Sequence, residues 1–416
     1  MRISAIRLPL SFWRLVLMGL LYLAMAETVP WTGHARADER SDALVKAYNS
    51  AGLALFGKLA TEKPGNLVLS PYSIGTAMAM AYAGARGETA AEMARVLRYG
   101  ADPAGTVEGY RSLNDSVSER TAGEDATITL ANALHLTRFG HLVAPSYKTM
   151  LSARFSTELF EGSDLAAINN WVKRKTGGRI ESILTRLDPL SVAVLLNAIH
   201  FKSSWAAPFN PRRTAPGDFH LSRDETVQVP MMHRSGSYRI LRAHTFDAIA
   251  LPYKGDKLTM IVLLPLRPGG HGQVAISQND RMIRSVIHGL ERIAPQTVTL
   301  SMPKFKTGSD ADLIAPFTGL GMALAFDRTR ADFTGITEST KEQDRIYISQ
   351  IRHKTVIDVN EAGTEAAAAT AVEFGRGATA VTPSIRIAID RPFEYLITDR
   401  SSGAILFIGR VSDPRS

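Results

Sequence analysis

Apolar residues recur at spacings of three and four over residues 41–60 (SDALVKAYNSAGLALFGKLA), the signature of an amphipathic helix, with Ser41 placed to cap its first turn. The same period runs from Ser73 to Leu97 and predicts one or two further helices. Beyond this helix-rich opening third the pattern shortens to β-like runs: Ala126–Leu136, Val192–Phe201, Ala248–Pro252, Leu258–Pro265, Thr297–Ser301, Ile346–Asn360, Ile385–Ile389, and Tyr395–Val411 with a turn at Asp399–Gly403. Many strands joined by irregular segments predict an α+β fold with large, mostly antiparallel sheets. No internal repeat and no Pro/Ser-rich linker divides the chain, so residues 38–416 are expected to form one domain.

The first 37 residues follow a different rule. Arg2, Arg7 and Arg14 precede an apolar run from Leu15 to Ala26, which falls short of the ~20 residues a bilayer span needs. Small-residue exits follow at Ala24-Met25-Ala26 and Ala35-Arg36-Ala37. The segment reads as a secretory signal peptide cleaved after Ala37, with an N-terminal membrane anchor as the competing reading. A secreted or periplasmic protein with no membrane association after processing is therefore expected.

Charge and composition narrow the choice of partner. The chain of 416 residues carries 48 Lys+Arg against 40 Asp+Glu; loss of residues 1–37 removes four arginines and one glutamate, so the net charge falls from +8 to +5. That mild excess does not call for a nucleic-acid partner, which needs a clustered basic footprint. The densest cluster, Lys173, Arg174, Lys175 and Arg179, reads as a solvated helix face. With no cysteine, the chain has no disulfide, thiol nucleophile or thiolate metal site.

Motifs for chemistry are mostly missing. The sequence has no G-x-S-x-G elbow, phosphate loop, H-E-x-x-H or EF-hand loop, and none of its ten histidines lies three or four residues from another. A zinc site built from His220, His233 and a distant carboxylate lacks ligand spacing, and a Ser-His-Asp triad, whose order varies between folds, has no positive support. No metal, cofactor or catalytic residue is assigned.

One segment breaks the local rules. Residues 361–382 read EAGTEAAAATAVEFGRGATAVT, which intrinsic propensity would make a short alanine helix joined to a loop. Counted in twos, however, Thr364, Ala366, Ala368, Thr370 and Val372 are all uncharged, while Glu365 and Glu373 fall on the opposite face. That is a strand pattern written in small residues, suited to entering a sheet without burying a charge.

At this point the sequence resembles the serpin family. The hinge Glu361-Ala362-Gly363-Thr364-Glu365-Ala366-Ala367-Ala368-Ala369-Thr370 is similar to that of inhibitory members. Further similar motifs follow in order: Asn66-Leu67-Val68-Leu69-Ser70-Pro71-Tyr72-Ser73-Ile74, Gly84-Ala85-Arg86-Gly87-Glu88-Thr89, Asn197-Ala198-Ile199-His200-Phe201-Lys202, Trp205 with Pro208-Phe209, and Met302-Pro303-Lys304-Phe305. Ala331-Asp332-Phe333-Thr334-Gly335-Ile336, His353-Lys354, Arg391-Pro392-Phe393 and Phe407-Ile408-Gly409-Arg410-Val411 complete the set.

The resemblance implies three β-sheets, about eight or nine helices and an exposed reactive loop near 361–382. It also implies a monomeric suicide substrate, which traps a serine or cysteine protease as a covalent 1:1 complex when the cleaved loop inserts into the main sheet. By the same resemblance Gly363 is the flexing point and Thr364 the first side chain to insert. Ser70, Ser73, Asn197 and His353 match the family's shutter, and Trp205, Lys304 and Glu361 its breach. Family spacing from Glu361 puts the residue before the cut near Gly377, one beyond Arg376; by side-chain chemistry the Arg376-Gly377 bond is set slightly ahead of Gly377-Ala378, with Phe374 and the Ala378–Val381 run behind them. A trypsin-like target leads, because a guanidinium suits a carboxylate-bearing pocket, and an elastase- or subtilisin-like one follows. A non-inhibitory serpin, acting as a binding protein or chaperone, is the alternative.

Overall fold

The computed structural model describes residues 32–121, 126–137, 140–162, 164–186, 193–267, 279–339, 341–364 and 385–415. Eight α-helices lie among them: α1 (Thr32–Glu62), α2 (Pro71–Gly84), α3 (Gly87–Leu97), α4 (Pro103–Thr121), α5 (Pro145–Phe155), α6 (Leu165–Lys175), α7 (Asp280–Arg292) and α8 (Ile314–Gly319). The strands are β1 (Leu67–Leu69), β2 (Ala126–Leu136), β3 (Glu158–Glu161), β4 (Ala193–Ser204), β5 (Ala215–His220), β6 (Thr226–Arg242), β7 (Phe246–Pro252), β8 (Leu258–Pro265), β9 (Gln296–Pro303), β10 (Phe305–Asp312), β11 (Arg352–Val359), β12 (Gly363–Thr364), β13 (Ile385–Ala388), β14 (Phe393–Asp399) and β15 (Ile405–Val411). The fold is α+β, as the alternating periods predict.

The strands form three sheets, two of them continuous through one long strand. The first has the order β10-β11-β12-β4-β2-β3. The second runs β1-β15-β14-β8-β7-β6, and its last member passes into the third. Residues 239–242 of β6 pair with β7, while its 231–238 stretch pairs with β9, which in turn holds β13. The main core lies between the sheets around α2, which is buried on almost every side and is rich in Ala and Met. A second cluster covers the opposite face of the first sheet: Ile168, Trp171 and Val172 of α6 pack on Ala131, Ala133, Val194 and Leu196.

Some boundaries move for identifiable reasons. The first helix extends nine residues beyond the predicted start, so Ser41 is an interior, buried residue and not a cap. The stretch Ala-Arg-Ala-Asp-Glu-Arg before it has ample helix propensity to carry the helix on. The predicted strand Ile346–Asn360 forms only over Arg352–Val359, because the backbone before it bonds elsewhere. Ile348 N–H donates to Ala325 O, and Ile351 O accepts from Leu313 N–H. Strand β5, whose Pro216 faces Pro230, carries no strand signal, whereas β6 does alternate at Val227, Val229 and Met231 and is missing from the predicted runs.

Candidate functional site: a gap between two parallel strands

Strands β11 and β4 run parallel and meet directly at only one pair, Lys354 with Ala198. Above that pair they are held apart by β12, which is antiparallel to both: Thr364 faces Val359 on one side and Ser203 on the other. A strand antiparallel to two neighbours can complete ladders with each, so the gap is a socket for one more strand. The chain reaches it by a tight reversal after Val359. Asn360 N–H donates to Gly363 O (2.9 Å), Gly363 N–H returns to Asn360 O (3.3 Å), and Asn360 Oδ1 accepts from Ala362 N–H (3.0 Å).

Gly363 is required by close approach. Its φ is +155°, and a Cβ there would overlap Ser203 O and come within 2.7 Å of Ser204 Cα. Thr364 is wholly buried, and its hydroxyl shares a 2.7 Å hydrogen bond with Tyr253 OH. Burial raises the Tyr253 phenol pKa, so it stays protonated and available for that bond. Tyr253 also stacks on Trp205, with centroids 4.6 Å apart and planes at 11°, and meets Phe201 edge-on.

Trp205 and Glu361 tie down the mouth of the gap. The Trp205 indole N–H donates to Asn360 O (3.0 Å), and its backbone N–H donates to Ala362 O (2.9 Å). Glu361 accepts from Thr214 Oγ1 (2.8 Å) and pairs with Lys304 Nζ (3.0 Å), while Phe209 N–H holds its carbonyl (2.8 Å). Burial alone would raise the Glu361 pKa; hydrogen bonds from its own N–H, Lys304 and Thr214 outweigh it and lower the value. The predicted breach residues Trp205, Lys304 and Glu361 are thus in one place.

At the start of β11 sits His353, 2% exposed. Its Nε2 accepts from Ser70 N–H (3.1 Å) and lies 2.6 Å from Thr355 Oγ1. Because a backbone N–H can only donate, Nε2 is unprotonated and the ring is neutral. Desolvation lowers the His353 pKa to about 4, against a smaller opposing effect from Asp310. Ser70 is also the N-cap of α2: its Oγ accepts from Ser73 N–H (3.1 Å) and donates to Leu406 O (2.6 Å), with Pro71 opening the helix.

Of the predicted shutter, Ser70 and His353 therefore touch. Ser73 supplies only its backbone N–H, its buried Oγ having no partner among the described residues. Asn197 lies on β4 next to Ala198, opposite Asn132 of β2; its side chain is outside the described residues. Also outside are the hinge residues Glu365, Ala366, Ala367, Ala368, Ala369 and Thr370, the scissile candidates Arg376, Gly377 and Ala378, and the signal-like run Leu15–Ala26. Sequence reasoning missed Tyr253, Thr214 and Thr355, which stand in no motif. Only the alternation of β11, with Thr355 on the His353 face, carried a usable signal.

A family model described as serpin (serine protease inhibitor) matches residues 46–414. An uncharacterized serpin-like protein of Thermococcus kodakarensis is 34% identical over 380 residues, covering 89% of this chain and 86% of that protein. Leukocyte elastase inhibitor of Bos taurus is 33% identical over 384 residues, covering 86% and 96%. Among solved structures, human thyroxine-binding globulin complexed with thyroxine aligns with a TM-score of 0.77 at 27% identity, over 90% of this chain and 99% of that one.

Proposed function

Since the chain belongs to the serpin family of serine protease inhibitors, we propose that it is an exported suicide substrate for a trypsin-like protease, with Arg376 before the scissile bond. In this reading the protease serine attacks the Arg376 carbonyl. The Arg376-Gly377 bond breaks, Gly377 leaves as a new amino terminus, and Arg376 remains esterified to the serine. The freed strand then fills the gap between β11 and β4, carrying the protease away before water reaches the ester.

The observation that carries the proposal is the state of the hinge. Gly363 and Thr364 already occupy the top of the socket, and Ala366, Ala368 and Thr370 are small enough and uncharged enough to follow on the same face. Incubation of the mature protein with trypsin, elastase, subtilisin and papain, followed by denaturing gels and mass spectrometry, tests it. A denaturant-resistant band at the summed mass, with a released peptide starting at Gly377, is expected with trypsin. Loop cleavage with no such band for any protease would overturn inhibition. Export is tested separately, by sequencing the amino terminus of the processed protein, with Asp38 expected first.

One observation favours a carrier as a second reading. A cavity enclosing about 760 Å3, its open mouth included, lies between α7 and the β6-β7-β8 face, with Tyr238, Ile261, Ile287 and Arg400 on its walls. Since thyroxine-binding globulin is a structural relative, thyroxine is a sensible probe; saturable binding without protease trapping would move the assignment to a carrier.

A further inference from the structure

Residues 345–351, which lead into β11, line two hollows of opposite character. The first is an apolar chamber of about 620 Å3 with its mouth, walled by Met78 and Ala81 of α2, Leu134 of β2, Tyr147 of α5 and Ile351. The second is a polar cleft of about 850 Å3 with its mouth, between the first turn of α3 and residues 330–345. Phe333 and Ile346 line both, so the two hollows meet there. Neither shares a residue with the cavity beside α7.

Several charges of the cleft are already satisfied. Arg330 Nε donates to Asp327 (2.7 Å), and Asp332 accepts from Thr334 N–H (3.1 Å) and Oγ1 (2.8 Å). Arg345 is different: its Nη1 is anchored on Ala331 O (3.2 Å), while its buried Nε–H has no partner among the described residues. A buried donor of this kind is costly until an acceptor arrives. An anchored guanidinium with a free Nε edge is also suited to take a carboxylate in two parallel bonds. Lys341 adds positive charge to the cleft and the exposed Glu88 and Glu342 oppose it, so attraction for an anion is local to Arg345. The chamber offers the reverse. Gln350 Oε1 on its wall is buried without a partner among the described residues, and such an acceptor repels an anion. A ligand spanning both hollows therefore has its charged end in the cleft and its apolar end in the chamber.

We propose that chamber and cleft together form a binding site for a medium-chain fatty-acid anion, with its carboxylate on the Arg345 guanidinium and its chain passing Phe333 and Ile346 into the chamber. The site stands apart from the protease reading and uses no residue of the reactive loop. One short segment matches the two ends of such a ligand. Arg345 lines the cleft, Ile346 lines both hollows, and Tyr347 to Ile351 wall the chamber. Apolar walls with a few placed polar groups are the usual make-up of a small-molecule site.

Calorimetric titration of the intact protein with decanoate tests the site. Saturable binding is expected, weaker by about fourfold for each methylene lost on going to octanoate. No binding, or an affinity that ignores chain length, overturns the proposal. Arg345→Gln should weaken decanoate binding roughly tenfold, whereas Arg400→Gln, on the wall of the cavity beside α7, should leave it unchanged. An unchanged affinity in Arg345→Gln, or a loss in Arg400→Gln, overturns the site. A measurement on the parent protein covers the case in which Arg345→Gln does not fold. Decanoate carrying a terminal diazirine should crosslink, on irradiation, to tryptic peptides that hold Met78 or residues 346–351. Label confined to other peptides, or no label, overturns the proposal.

Discussion

His353 cannot hold a second proton without losing Ser70. Its folded pKa near 4 lies below the 6.5 of an exposed imidazole, so the unfolded chain binds more protons between those values. The neutral ring's contribution is therefore complete above about pH 6.5 and is lost as pH falls toward 4, about 3 kcal/mol in all. Thermal midpoints measured from pH 7.5 to 4.5 should fall more steeply for the parent than for His353→Gln, and parallel curves would refute this. Lys304 is a weaker link, being 40% exposed and so screened by water. Lys304→Ala should cost about 0.5 kcal/mol, and Lys304→Glu more, since it sets two carboxylates together. The readout is faster polymer formation on native gels at elevated temperature. Much of this was legible: Ser70, His353, Trp205, Lys304 and Glu361 were all named from motifs. What motifs lack is the third dimension, so Tyr253, which receives Thr364, was invisible until Trp205 was seen stacked on it.

The hinge hairpin and its two neighbours form the next unit. Thr364→Arg would place a guanidinium where the parent is wholly buried beside Tyr253, at a cost of several kcal/mol, so β12 should leave the gap. The variant should still be cut by trypsin but give no covalent band on denaturing gels and no gain in heat stability. Gly363→Val should act in the same direction through the overlap with Ser203 and Ser204, and a variant that still traps protease would show that the hinge re-forms differently. The buried-exposed alternation of β11 and the continuous apolar run of β8 were readable because burial follows the period of the strand. The unpaired stretch 346–351 was not, since its apolar residues look like a strand and only the bonds to Ala325 and Leu313 show otherwise.

Taken together, the first sheet divides into two bodies along one seam. On one side β10 and β11 pair through eight residues; on the other β4 pairs with β2 through eleven. Across the seam, among the described residues, only Lys354/Ala198 and the two-residue β12 connect the strands. Filling it adds backbone ladders on both sides without dismantling either body, so the cleaved protein should melt well above the intact one in calorimetry. Equal midpoints would mean that the seam stays open. Helix α6 gives this arrangement a time dimension. Through Ile168, Trp171 and Val172 it is fastened to β4 and β2, with Ile180, Ile183 and Leu184 of the following stretch on the same face. Widening the seam therefore moves α6 with its strands. In the proposed mechanism the protease hydrolyses its ester at its own rate, so capture is a race between that hydrolysis and the movement of the body that carries α6.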